Sequence, residues 1–254
     1  MRLYDGLKKC SAKSGRLGVV AFLCFAIINA LGAHLNAVAD ETFLYSEEEM
    51  NAIEAHIIEY FGDYETVLHE IVSPDIHLDV IVIQPTPERN YYTLVTWGAG
   101  AYEMNVPLTW QPYFPTRAEY LVILPPNWDI INLDDPMNYW PIEFLKALAR
   151  LPISNNTWLG VGHTMSADAE NTPFAENTKL CSVVLTHPKA FETDCLTATL
   201  PDGKNVIFYQ MVPIYEDELH YNREHGYDAF EDHINSAILS PLDITRPSVL
   251  PVAE

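Results

Sequence analysis

Basic residues are scarce in this chain. Only 14 Lys and Arg stand against 35 Asp and Glu in 254 residues, a formal net charge of −21. A surface that acidic repels phosphate backbones, which argues against direct nucleic-acid binding. It suits solubility, or a basic protein partner. Cysteine is also sparse: Cys10, Cys24, Cys181 and Cys195 are too few and too unevenly placed for a disulfide-stapled mini-protein. The 11 glycines show no triplet period, which excludes a collagen-like chain, and 48% hydrophobic composition excludes a wholly disordered one. No G-x-S-x-G elbow, Walker A loop, G-x-G-x-x-G fingerprint or C-x-x-C pair occurs. What remains is enough chain for one large domain, or two small ones, with a buried core.

The charge is unevenly spread. The first 39 residues carry five basic side chains (Arg2, Lys8, Lys9, Lys13, Arg16) and one acid, Asp5. Residues 40–254 therefore hold nine basic groups against 34 acids, a charge of −25. Behind the basic stretch, residues 17–33 contain no charged side chain, and Ala37-Val38-Ala39 supplies the small residues of a signal-peptidase site. Basic, apolar and small-residue regions in that order read as a secretory signal over 1–39. The apolar run is slightly short of the roughly 20 residues of a comfortable span, so a cleaved signal and an uncleaved inner-membrane anchor both stay open. Either places the rest of the chain outside the cytoplasm, periplasmic or secreted. Membrane contact is expected only through an uncleaved leader. Phe22-Leu23 before Cys24 does not suit a lipoprotein site.

After the leader, helices and strands alternate without a linker, repeat or low-complexity block. Ser46 and Glu49 form a capping box, and Met50, Ile53, Ile57 and Phe61 follow at helical spacing until Gly62. Residues 64–72 and 77–83 read as strands, the second nearly continuous in β-branched side chains and so deep in a sheet. After the turn at 85–90, strand 91–97 returns antiparallel. Another strand spans 119–124, stopped by Pro125-Pro126. A helix is expected over 140–151, with Pro141 in its first turn and Pro152 as terminator. Strands at 180–185 and 206–212 precede helices at 216–224 and 227–239, which Gly226 separates. The fold class is α+β: one mixed domain over 46–251, with a central, largely antiparallel sheet flanked by helices.

Residue chemistry offers few catalytic leads. His69-Glu70 begins like a zincin motif, but Ser73 stands where the second His belongs. Asp79 and His163 could join a metal or catalytic pair, yet scattered His and Asp occur in any chain this size. No metal ligand set, cofactor or catalytic residue is assigned. His220 and Glu224 share a helical face and suit a surface hydrogen bond. Aromatic clustering is more unusual. Trp97, Tyr102, Trp110, Tyr113, Phe114, Trp128, Tyr139, Trp140 and Trp158 fall within about a quarter of the chain. They are core packing or interface anchors.

An ordered series of segments resembles the Suppressor of fused family. It runs His69-Glu70-Ile71-Val72-Ser73, His77-Leu78-Asp79-Val80, Pro85-Thr86-Pro87-Glu88-Arg89, and Tyr92-Thr93-Leu94-Val95-Thr96 with Gly98 and Met104. Ala118-Glu119-Tyr120, Leu124-Pro125-Pro126-Asn127-Trp128, Trp140-Pro141 and Leu148-Ala149-Arg150-Leu151-Pro152 continue it. Asn156-Thr157-Trp158-Leu159-Gly160, Gly162-His163-Thr164, Met211-Val212-Pro213-Ile214-Tyr215, Glu218-Leu219 and Arg246-Pro247-Ser248-Val249 complete it.

The resemblance implies a non-enzymatic binding protein. Animal members repress zinc-finger transcription factors of the hedgehog pathway and carry a second, C-terminal domain, where this chain stops. The expected likeness is to stand-alone bacterial members, proposed as immunity proteins that bind and neutralise a cognate toxin. Outside the cytoplasm, that partner would be a basic or envelope-directed toxin. Trp97 and Ala99-Gly100-Ala101 depart from many bacterial relatives, and the leader is unusual. The expected partner-binding residues are Trp97, Tyr102, Glu103, Met104, Trp128 and His163, at strand ends or in loops. The competing expectations are an exported metal-dependent hydrolase using Asp79, His163 and a nearby acid, or a scaffold domain.

Overall fold

The computed structural model describes residues 42–251, so the leader expected over 1–39 lies outside the described residues. Four helices and eight strands follow in the order α1 (Glu47–Tyr60), β1 (Thr66–Leu68), β2 (Asp79–Ile83), β3 (Tyr92–Trp97), β4 (Arg117–Leu124), α2 (Pro136–Asn155), β5 (Thr164–Ser166), β6 (Ser182–Thr186), β7 (Thr197–Thr199), β8 (Asn205–Ile214), α3 (Glu216–His225) and α4 (Tyr227–Ile238).

One mixed sheet, ordered β1-β2-β3-β4-β8-β6-β5, forms the centre. Its pairings are antiparallel except β4 with β8, which run parallel with Arg117 opposite Val206 and Leu121 opposite Gln210. That single parallel pair needs a long crossover, and α2 lies within it. β6 and β7 occupy the far edge of β8 end to end, β7 on residues 205–207 and β6 on 210–214.

Strand alternation sorts the core onto two faces. Val80, Val82, Leu94, Tyr120, Val122, Val183, Tyr209 and Met211 pack with Ile142, Leu145 and Leu148 of α2. The opposite parity carries Ile81, Val95, Leu121, Ile123 and Phe208 against Ile53, Ile57 and Phe61 of α1 and its end. On the same parity of β8, Val212 and Ile214 pack under Leu219, Phe230, Ile234 and Ile238 of α3 and α4. Gln210 stands between these last two groups.

Local signals hold where the chain has only itself to satisfy. The capping box of α1 is present in both directions, Glu49 N to Ser46 Oγ at 3.2 Å and Ser46 N to Glu49 Oε2 at 2.8 Å, worth about 1 kcal/mol. Phe61 is the C-cap, and Gly62 beyond it takes φ +117°. Elsewhere tertiary contacts move the boundaries. α2 begins four residues earlier than expected, because the Asp135 side chain caps Met137 N (2.9 Å) and Pro136 starts the helix. Pro141 and Pro152 both lie inside α2; left-handed Asn156 (φ 47°), not Pro152, ends it. β1 spans three residues rather than nine, because the chain leaves the sheet at His69 and Glu70 to meet Asp79 and Arg150. The short strands β5 and β7 carry too little apolar alternation to be seen in the sequence.

Candidate functional site

The parallel pair β4–β8 is registered only as far as Leu121 and Gln210, yet β4 continues to Leu124 and β8 to Ile214. The strands therefore part at their carboxyl ends, the kind of place where ligand crevices form beside parallel strands. A cavity of about 210 Å³ lies there, lined by Val122, Ile123, Gln210, Met211, Leu242 and Arg246 among others. Residues 240–250, which follow α4, close over it as a strap. Leu242 N donates to Ile123 O (2.9 Å) on one side, and Arg246 Nη2 to Pro213 O (3.0 Å) on the other. The strap thus bridges the main chains of both strands.

One buried polar side chain lines this cleft and another anchors its strap. Gln210 is 2% exposed; its Nε2 donates to Ile238 O (2.9 Å), while its Oε1 has no partner among the described residues. Gln210 is the one that lines the cavity. Glu218, fully buried, receives Arg246 at 2.6 and 2.7 Å. It also accepts Tyr215 N (2.9 Å) and Val249 N (2.8 Å), and the guanidinium lies over the Tyr215 ring, 4.9 Å from its centroid. These contacts seat the strap against the first turn of α3.

A second polar centre fixes the opposite end of β4. Glu119 is fully buried and accepts five donors: Tyr45 OH (3.0 Å), Gly98 N (3.1 Å) and Gly100 N (3.0 Å) on Oε1, Thr96 Oγ1 (2.5 Å) and Ala99 N (3.2 Å) on Oε2. Burial nevertheless pushes its carboxyl up to about 7, against the pull of those donors. Gly98 sits at φ +128° with the His77 carbonyl 2.1 Å from where a Cβ would be, so only glycine serves there.

The expected binding residues fall into separate places. Trp97 ends β3 and leans on α1, its Nε1 donating to Met50 O (3.4 Å). Tyr102 meets Phe43 edge to face, centroids 5.0 Å apart. Glu103 is held by Lys204 and by Arg117 (3.2 Å), and these bonds, led by that of Lys204, keep its carboxyl below the usual range. Met104 is buried; its sulfur receives Tyr120 OH (3.8 Å) and Leu159 N (3.4 Å). His163 lies 4.5 Å from the Trp158 ring, and burial holds its imidazole below the ordinary value. Trp128 follows the far end of β4, donating to Asn138 O (3.0 Å). The antiparallel register of β3 and β4 puts Trp97 and Trp128 at opposite ends of that ladder, so these six residues do not form one patch.

Asp79 and His163 do not share a partner. Asp79 takes His69 Nδ1 (2.8 Å), His77 Nε2 (3.5 Å) and Glu70 N (2.9 Å), which occupy both its oxygens. Among the described residues, no three His, Cys, Asp or Glu side chains are grouped to hold a metal ion, and no helix is long and apolar enough to cross a membrane.

Sheet, crossover helix and strapped cleft define a mixed α+β module. Its family follows from sequence comparison: the model of the Suppressor of fused protein (SUFU) family matches residues 74–247, and the chain belongs to that family. The uncharacterized protein UU111 of Ureaplasma parvum serovar 3 is 24% identical over 209 residues, covering 81% of this chain and 98% of that protein. A SUFU homolog from Neisseria gonorrhoeae FA 1090 shares the fold at TM-score 0.58 and 18% identity, over 82% of this chain and all of that one. A chain of the Sufu–Fu complex does so at TM-score 0.55 and 13% identity, over 80% and 92%.

The cleft residues escaped the reading of the sequence for a physical reason. Gln210 was legible only as one polar residue inside an apolar strand, and Glu119 likewise. Arg246 and Glu218 both lay in segments carrying the family resemblance, but nothing local joins residues 28 apart.

Proposed function

We propose that this protein is a non-enzymatic binding module that takes an extended segment of a partner protein between β4 and β8. The observation that carries this reading is the pair of parted parallel strands, where the strap already puts Leu242 N on Ile123 O. Strand addition uses such main-chain groups for affinity and adjoining side chains for selection. The strap 240–250 holds this position in the free protein, so a partner strand competes with it. A chain of the Sufu–Fu complex has the same fold, which supports protein binding as the general activity.

The finer reading is an immunity-type role: an exported or inner-membrane-anchored acidic protein that binds and neutralises a basic or envelope-directed toxin. Its support is the charge of −25 on residues 40–254, the leader-like sequence before Asp40, and the bacterial homolog of like fold. The test is a pull-down of the tagged full-length protein from its own organism, with cell fraction and mature N-terminus recorded. One stoichiometric toxic partner and an N-terminus at Asp40 is the expected result. A partner without toxicity would leave the binding module and remove the immunity role. Leu242→Pro tests the cleft, because it deletes the N–H that Ile123 accepts. Weakened strap competition should raise partner affinity, and an unchanged affinity would place the partner elsewhere.

A further inference from the structure

Residues 105–116, Asn-Val-Pro-Leu-Thr-Trp-Gln-Pro-Tyr-Phe-Pro-Thr, contain no charged side chain in a chain that is otherwise strongly acidic. They form the connection before β4, at the end of that strand away from the cleft. Large apolar side chains stand out from it: Leu108 is 83% exposed, Tyr113 73% and Trp110 50%. The rings are arranged as a strip. Trp110 lies 6.4 Å from Tyr113 and 6.1 Å from Phe114, Phe114 lies 5.0 Å from Trp158, and Trp158 lies 4.5 Å from His163.

The loop that carries this strip has its own hydrogen bonds. Trp110 N and Gln111 N donate to Pro107 O (2.8 and 3.2 Å), Tyr113 N and Phe114 N to Trp110 O (2.9 and 3.0 Å), and Gln111 Nε2 to Val106 O (2.9 Å). Asn105 N reaches Thr157 O (3.1 Å), tying the loop to the segment that bears Trp158. Gly160 completes the seat, since a Cβ there would stand 2.9 Å from both the Phe114 and the Trp158 rings. Exposed Trp and Tyr rings are the side chains that dominate interface energetics. Phe114 and Trp158 pack on the core, whereas Trp110 and Tyr113 face solvent beyond them.

We infer that this strip is a docking surface for a proline-rich, basic, extended peptide segment. Deepening the reading of a protein-binding module, it names a second surface and the chemistry of what it takes. Polyproline II segments dock on aromatic-lined grooves because they are already ordered. The uncharged strip lets proline rings desolvate against it, while the charge of −25 over residues 40–254 attracts Lys and Arg flanking them.

The experiment uses the full chain and a synthetic peptide of ten prolines with two lysines at each end, titrated by calorimetry and tryptophan fluorescence. Binding is expected, at least tenfold weaker in both Trp110→Ala and Tyr113→Ala, with melting temperatures near that of the parent because both side chains are largely exposed. Glutamate-flanked decaproline, and a lysine-flanked Gly-Ser peptide of the same length, should each bind at least tenfold more weakly. Absence of binding, equal binding of the Gly-Ser peptide, or affinity unmoved by Trp110→Ala would overturn the assignment. So would binding of an oligosaccharide in place of the peptide. Leu242→Pro, which alters the cleft, should leave this affinity unchanged; a change there would put the peptide in the cleft and overturn the strip, while leaving the module intact.

Discussion

Arg246 and Glu218 form a two-pronged ion pair, Nη1 to Oε1 at 2.6 Å and Nη2 to Oε2 at 2.7 Å, with the carboxylate wholly buried and the guanidinium largely so. Glu218 belongs to the first turn of α3, and Arg246 to the strap that closes the β4–β8 cleft. One contact therefore couples helix capping to closure of the proposed binding position. Breaking it leaves a buried carboxylate uncompensated, whereas removing both partners does not. Arg246→Ala should cost about 3–5 kcal/mol in urea unfolding, and the double variant Arg246→Met with Glu218→Met distinctly less. Equal losses in the two would mean that the strap is held chiefly by Leu242 and its neighbours.

Glu119 sets a pH dependence. Its carboxyl stands near 7 in the folded protein because of burial, against about 4.3 when unfolded. A raised folded value means that stability from this group is fully present below about pH 4 and is lost as pH rises through about 7, by about 4 kcal/mol. Unfolding free energy measured from pH 5 to 8 should fall accordingly, and Glu119→Gln should flatten that slope. The amide of Gln must also face at least two of the five donors, so the variant should be less stable than the parent at pH 5.

Cys181 and Cys195 are free and buried, and burial is the main force raising both thiols, that of Cys195 to about 12. Thiolate is the reactive form. Iodoacetamide at pH 8 should leave both unmodified in the native protein and label both in denaturant, read by mass spectrometry. Labelling of the native protein, or a linked pair, would contradict the packing.

Among the residues expected to bind a partner, burial separates anchors from props. Met104→Ala should destabilise by about 2–3 kcal/mol, since its side chain is enclosed beneath Tyr120 and Leu159. Trp128→Ala should cost about 2 kcal/mol by losing its bond to Asn138 O and its edge contact with Trp140. Trp97, partly buried against α1 with one long hydrogen bond to it, should lose less stability on truncation. A fall in partner affinity in Trp97→Ala at little-changed melting temperature is the expected sign of an interface. A melting temperature lowered as far as in Trp128→Ala would make it a packing residue.

Much of the fold was legible because it rests on neighbours in sequence. The Ser46–Glu49 box, the spacing of Ile53 and Ile57, the β-branched run of β2 and the glycine at 226 need only local backbone geometry and a period to be read. Boundaries failed where distant partners intervened, as when Arg150 and Asp79 drew Glu70 and His69 out of β1, or when packing along α2 carried the helix through Pro141 and Pro152. The site was decided only in three dimensions. That β4 and β8 pair in parallel and then part follows from sheet order, which no stretch of either strand encodes alone. Phe114 and Trp158 become neighbours through a glycine at 160, and Glu218 meets Arg246 with the whole of α4 between them in sequence. Periodicity determines which face of an element is apolar; only the packing of those faces determines which side chains are left uncovered together, and that is what a partner meets.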